Sequence, residues 1–89
     1  MTEREVEIVN RLGLHARAAA KLVHVAGRFR SDVKLLKDGE VVDGKSILGL
    51  LMLGAAQGER IRLRCDGPDE EQAVDAVADL IARRFEEES

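Results

Sequence analysis

Along this chain the spacing of apolar residues switches between two and about 3.6, the periods of a half-buried strand and an amphipathic helix. Val6 and Ile8 alternate with Glu5 and Glu7, and Val9 follows, which predicts a first strand. Residues 10–13 break it, and from Ala16 the period lengthens. Ala19, Leu22, Val23, Ala26 and Phe29 share one stripe, predicting a helix from Ala16 to about Phe29. Leu14, just ahead, is placed to fix the entry of the chain in the manner of a staple, and Gly27 weakens the last turn.

Val33 and Leu35 alternate with Lys34 and lead into Asp38-Gly39, a strong signal for a two-residue hairpin of type I′. That turn sets Lys37 opposite Glu40 as an opposite-charge pair, Leu36 opposite Val41 and Leu35 opposite Val42. Strands are therefore expected near residues 32–37 and 40–43. Ser46 precedes Ile47-Leu48-Gly49-Leu50-Leu51-Met52-Leu53, so it is read as the N-cap of a short helix. This helix is apolar nearly all round, more than one small domain can cover, and part of it is expected to form an exposed patch.

Arg60, Arg62 and Arg64 alternate with Ile61, Leu63 and Cys65, the mark of a half-buried strand whose arginines face the glutamates of strand one. Gly67-Pro68-Asp69-Glu70-Glu71 opens a last helix, capped by Asp66 or Asp69, with acids in the first turn where the helix dipole favours them. Ala73, Val77, Leu80, Ile81 and Phe85 continue its stripe, and Glu86-Glu87-Glu88-Ser89 reads as a frayed end. The order βαββαβα, with one apolar face per strand, predicts an α/β (α+β) open-faced sandwich: a four-stranded antiparallel sheet with three helices on one side. Its 89 residues make a single domain, residues 1–89.

Composition narrows the function more than the fold. Aromatics are 2% of the chain, so the core is aliphatic and the stacking platforms of single-strand nucleic-acid binders are missing. The net charge of −3 gives no general attraction to nucleic acid or an anionic membrane, and the arginine row is best read as a solvated sheet face. Cys65 has no partner for a disulfide, and its place among apolar residues suits a buried thiol. His15, His24 and Cys65 lack metal-ligand spacing, so neither a metal nor another cofactor is expected, and His24 reads as a surface residue. The charged N-terminus and the absence of a long apolar run point to the cytoplasm, and a monomer is expected.

The chemistry concentrates at Leu12-Gly13-Leu14-His15-Ala16-Arg17, where an extended segment becomes a helix. A helix start offers N–H groups without helical partners and the positive end of the dipole, a ready site for phosphate. An imidazole beside it is either a cap or a nucleophile that accepts a phosphoryl group, with the Arg17 guanidinium to hold the anion.

Four stretches, in this order and spacing, closely resemble the HPr family, phosphocarriers of the bacterial phosphoenolpyruvate-dependent phosphotransferase system. They are Gly13-Leu14-His15-Ala16-Arg17, Asp38-Gly39, residues 45–54 beginning Lys45-Ser46-Ile47-Leu48, and Gly67-Pro68-Asp69-Glu70-Glu71. The resemblance covers nearly the whole chain and implies the same sandwich fold. It also implies a carrier rather than an enzyme: His15 receives a phosphoryl group from enzyme I and passes it to the IIA components of sugar permeases, with Arg17 as the phosphate-binding arginine. Either ring nitrogen is left as the acceptor. Ser46 matches the serine modified by HPr kinase/phosphorylase, a change that can recruit a transcription regulator. Partner docking would fall on Ala16, Arg17, Ala20, Ile47, Leu48 and Leu51.

Two positions depart from the family pattern. Ala18 stands where proline is usual, which keeps the helix but restores freedom to the unfolded chain. Leu12 replaces a small polar residue found in some members, removing a possible side-chain contact near the histidine. Asn10-Arg11-Leu12-Gly13 and Leu50-Leu51-Met52-Leu53 are also similar to NPr, the nitrogen-related paralogue. A regulatory binding module, NPr-like or switched by phosphate on Ser46, is therefore the alternative to sugar uptake.

Overall fold

A computed structural model describes residues 1–88. The elements are β1 (Thr2–Glu7), α1 (Ala16–Ala26), β2 (Asp32–Lys37), β3 (Glu40–Asp43), α2 (Ile47–Leu53), β4 (Arg60–Asp66) and α3 (Glu70–Ala82), followed by a closing turn at Arg84–Glu86. The four strands form one antiparallel sheet in the order β1-β4-β2-β3, and the helices cover one face of it. This is the open-faced sandwich expected from the alternating pattern.

The register explains which face is buried. Val6 lies opposite Ile61, Leu35 opposite Leu63 and Val33 opposite Cys65, and these side chains meet Leu22 and Ala26 of α1 and Val74, Val77 and Ile81 of α3 in one core, aliphatic except for the Phe85 ring. Burial also pushes the Cys65 thiol up to about 11, with Glu70 and Asp69 adding to it, so the group stays an unreactive thiol. On the open face Arg60 binds Glu5 at 2.5 Å and Glu7 at 3.5 Å, and Arg64 binds Glu3 at 2.6 Å. Two arginines of the row, Arg60 and Arg64, are thus ion-paired on the sheet face.

The hairpin follows its predicted register, and Asp38 (φ 50°) and Gly39 (φ 83°) both take the positive φ that a type I′ turn requires. Lys37 does lie opposite Glu40, but its ammonium turns to Glu59 at 2.6 Å and to the Leu53 carbonyl at 3.3 Å instead. Other boundaries also differ from expectation. β1 begins at Thr2 and ends before Ile8, whose buried side chain is held as its N–H donates to the Glu59 carbonyl at 2.9 Å. α1 stops at Ala26, and Phe29 packs half-buried from the loop beyond, which continues the apolar spacing without continuing the helix.

The start of α3 is also built differently. Neither Asp66 nor Asp69 makes a capping bond there. Asp69 instead turns its carboxylate onto Arg30 and Ser31 at the entry to β2, while Glu70 accepts the Gly67 N–H at 3.2 Å.

The expected fraying does not extend over Glu86 and Glu87, which the closing turn and the bonds from Asn10 and His15 hold; Glu88 is exposed, and Ser89 lies outside the described residues. Arg84, Phe85 and Glu86 take φ of 59°, 55° and 64°, a left-handed turn that reverses the chain after α3. Each such residue costs roughly 1–2 kcal/mol. Full burial of the Phe85 ring, worth about 1.5–3 kcal/mol, offsets part of that cost. The Lys21 ammonium adds a bond to the Phe85 carbonyl at 2.8 Å.

Candidate functional site

His15 is the N-cap residue of α1, in extended conformation (φ −79°, ψ 179°), yet its side chain makes no capping bond. The capping role considered for it is therefore vacant. The first N–H with a helical partner is that of Ala19, which donates to the His15 carbonyl at 2.8 Å. Those of Ala16, Arg17 and Ala18 precede it and have no acceptor within the helix.

Gly13 brings the ring to this place. Its φ of 66° turns the chain, and a Cβ there would stand 2.7 Å from the Ala55 carbonyl oxygen. The next residue uses that closeness, because the Leu14 N–H donates to the same carbonyl at 2.9 Å while its side chain is buried. The loop after α2 thus fixes the approach to His15.

The ring is about a quarter exposed, and its Nε2 hydrogen-bonds Oε2 of Glu87. The other oxygen of Glu87 accepts from Nδ2 of the fully buried Asn10 at 2.9 Å, and that same nitrogen donates to the Gly13 carbonyl at 2.8 Å. Both N–H bonds of the amide are used, whereas Oδ1 has no partner among the described residues, a penalty of about 1–3 kcal/mol. Burial pushes the Glu87 carboxyl up, but the hydrogen bonds from Asn10 and His15 outweigh it and hold the group below its ordinary value. Glu87 is therefore the carboxylate that Nε2 meets. Neither Asn10 nor Glu87 was singled out from sequence; a phenylalanine set in an otherwise charged tail was the one available sign that the tail is anchored.

Arg17 stands exposed beside the ring and forms no ion pair among the described residues. With Arg11, Lys21 and the acids of the tail it lines an open depression around His15. Ala16 and Ala20 are exposed on the same helix, whereas Ala18 is buried. Arg17 is thus available to an incoming anion, while the position usually held by proline packs inward.

Ser46 caps α2, its Oγ accepting the Gly49 N–H at 3.0 Å. The ammonium of the neighbouring Lys45 donates to the Phe29 carbonyl at 2.9 Å. Ile47, Leu48, Leu51 and Met52 are exposed, while Leu50 and Leu53 are buried against the core. Since α2 packs on α1, this apolar face belongs to the same side of the molecule as the helix that carries Arg17. No cluster of three or more metal-binding side chains occurs among the described residues, and no helix is long and apolar enough to cross a membrane.

Comparison with known proteins adds four findings. Residues 2–83 match the family model described as the PTS HPr component phosphorylation site. The phosphocarrier protein HPr of Cupriavidus necator is 53% identical over 87 residues, covering 98% of each chain. Among solved structures, HPr of Thermoanaerobacter tengcongensis superposes with a TM-score of 0.96 at 45% identity, covering both chains fully. Crh of Bacillus subtilis, a catabolite-repression protein seen as a domain-swapped dimer, superposes at 0.77 with 40% identity, covering 94% of this chain and 97% of its own.

Proposed function

This chain belongs to the PTS HPr family and is a phosphocarrier of the phosphotransferase system, and from that premise we propose that His15 is the residue that carries the phosphoryl group. The observation that carries this reading is a histidine at a helix start that does not cap it. Its ring is accessible, three helical N–H groups lie just beyond it, and the Arg17 guanidinium has no ion-pair partner among the described residues. Nε2 is engaged by Glu87, so Nδ1 is the nitrogen with a lone pair to give.

Enzyme I supplies the phosphoryl group and IIA components of permeases take it. Arg17 and the N–H groups of Ala16–Ala18 neutralise its charge while it is held. Such a carrier hands on a group rather than turning over a substrate, so its partners must dock and leave quickly. Exposed Ile47, Leu48 and Leu51, with Ala16 and Ala20, suit a small apolar contact of that kind. Incubation with enzyme I and labelled phosphoenolpyruvate tests the assignment. Label that is acid-labile and lost in His15→Ala is expected; label retained by that variant refutes it.

A second reading concerns control. The Ser46 hydroxyl lies at the edge of the apolar face, and a phosphate there adds about 1.5–2 negative charges at a helix start. HPr kinase/phosphorylase would be the modifying enzyme and a transcription regulator the protein recruited. The same carrier then serves sugar uptake or an NPr-like nitrogen branch according to its partners. Labelling by the kinase that disappears in Ser46→Ala supports this reading, and its absence in the intact protein rejects it.

A further inference from the structure

We propose that Glu87 is a positioning residue for phosphoryl transfer, holding the Nε2 proton of His15 so that the Nδ1 lone pair faces the incoming phosphorus. The proposal rests on His15 being the phosphoryl acceptor. It adds a role for a tail separated from that histidine by 72 residues.

The geometry is that of an imidazole oriented by a carboxylate, which is in turn oriented by an amide. Oε2 of Glu87 meets Nε2, Oε1 accepts Nδ2 of Asn10 at 2.9 Å, and Asn10 is fully buried. Rotating the amide by half a turn would aim its oxygen at two acceptors, the Gly13 carbonyl and Glu87, so its orientation is fixed by its partners. The tail that brings Glu87 here is itself anchored by the buried Phe85 ring and by Lys21 on the Phe85 carbonyl. The carboxylate is thus set in place before any partner arrives. Glu86 and Glu88, by contrast, are exposed.

A proton on Nε2 leaves Nδ1 as the nucleophile. In the transfer, Nδ1 forms a bond to phosphorus while the bond from phosphorus to the donor breaks, its electron pair leaving with the donor. The ring keeps the Nε2 proton and gains positive charge, which the Glu87 carboxylate balances, as a carboxylate does behind any imidazole that becomes cationic in a transition state. In the onward step the Nδ1–phosphorus bond breaks with its pair returning to the ring. The ring is again neutral and still bonded to Glu87. The carboxylate lies at Nε2, so it helps both directions without occupying the position where phosphorus is bound.

The test compares Glu87→Ala, Glu87→Gln and Glu87→Asp in the full chain, with enzyme I and phosphoenolpyruvate. Partners that orient a metal-bound histidine typically contribute 10- to 100-fold, and an effect of the same order is expected for a reacting one. Glu87→Ala is therefore expected to lower the rate of phosphorylation about 10-fold or more with the KM for this protein nearly unchanged. Glu87→Gln, of the same shape, should recover part of the loss and Glu87→Asp more. Proton NMR supplies a readout that a merely structural role would not move: a slowly exchanging Hε2 signal of His15 in the wild type, absent from Glu87→Ala. Wild-type rates in both Glu87→Ala and Glu87→Gln overturn the proposal, as does faster transfer, which would make Glu87 an obstacle. The underlying reading fails separately, if label in the wild type is found elsewhere than on His15.

Discussion

One carboxylate oxygen of Asp69 accepts both the backbone N–H and the hydroxyl of Ser31, at 2.9 and 2.5 Å, and its other oxygen accepts the Arg30 N–H at 2.9 Å. These bonds stitch the start of α3 to the entry of β2. The hydrogen bonds from Ser31 and Arg30 hold the Asp69 carboxyl at about 2, below its ordinary 3.8 and against the opposing effect of burial. Glu70 beside it is also held at about 2, below 4.5, by the N-terminal ammonium, the Thr2 hydroxyl and the Gly67 N–H. Because both groups are more acidic folded than unfolded, their stabilisation is complete above about 4.5 and lost as pH falls toward 2. Urea midpoints should therefore fall steeply across that window in the wild type and less steeply in Asp69→Asn.

Phe85 joins stability to chemistry. Its side chain is fully buried although it lies beyond α3, in the turn that returns the chain to His15. Phe85→Ala should lose about 3–5 kcal/mol, the usual cost of emptying an aromatic site. Phe85→Leu is expected to lose less and to remain folded. In that milder variant the Hε2 signal of His15 should broaden, because the tail that holds Glu87 is looser. Urea melts and proton NMR on the same samples check both effects.

At Ser46, cap and charge can be separated. Ser46→Ala removes the bond to the Gly49 N–H and should cost about 1 kcal/mol in an unfolding titration. Ser46→Asp keeps an acceptor at the helix start and adds a negative charge beside Ile47 and Leu48. Phosphorylation of His15 by enzyme I should be little changed in Ser46→Ala and several-fold slower in Ser46→Asp. Equal rates would leave Ser46 as a cap alone.

Local chemistry was readable wherever neighbours in sequence are neighbours in space. Asp38-Gly39 specifies its own turn, which dictates the pairing of Leu36 with Val41 and Leu35 with Val42. Ser46 and the apolar run after it likewise carry their own start signal and their own stripe of exposed and buried faces. The misreadings arise where a distant partner overrides a local preference. Asp69 is a good N-cap by type, but the hydroxyl and N–H groups of Ser31, 38 residues away, compete for its carboxylate. Phe29 keeps helical spacing while it packs from a loop. The acidic tail looks solvated because its basic neighbours in sequence offer only exposed ion pairs, such as Arg83 with Glu86 at 3.4 Å, yet the partners of Glu87, Asn10 and His15, lie at the other end of the chain. His15 and Arg17 stood out because a helix start is a local signal; Asn10 and Glu87 did not, because the carboxylate behind the imidazole exists only after the fold has closed.

The strand order also governs how the molecule comes into being. β4 is central, pairing with β1 on one side and β2 on the other, although it is the last strand to be synthesised. Before residues 60–66 leave the ribosome, the hairpin of β2 and β3 is the only strand pairing available to the chain. β1 must wait with an unpaired edge. Contacts this distant in sequence slow folding, because the intervening chain must be ordered before they form. The bond between Glu87 and His15 must come later still, since the orienting carboxylate cannot take its place until residue 87 has left the ribosome, 72 residues after the ring it holds.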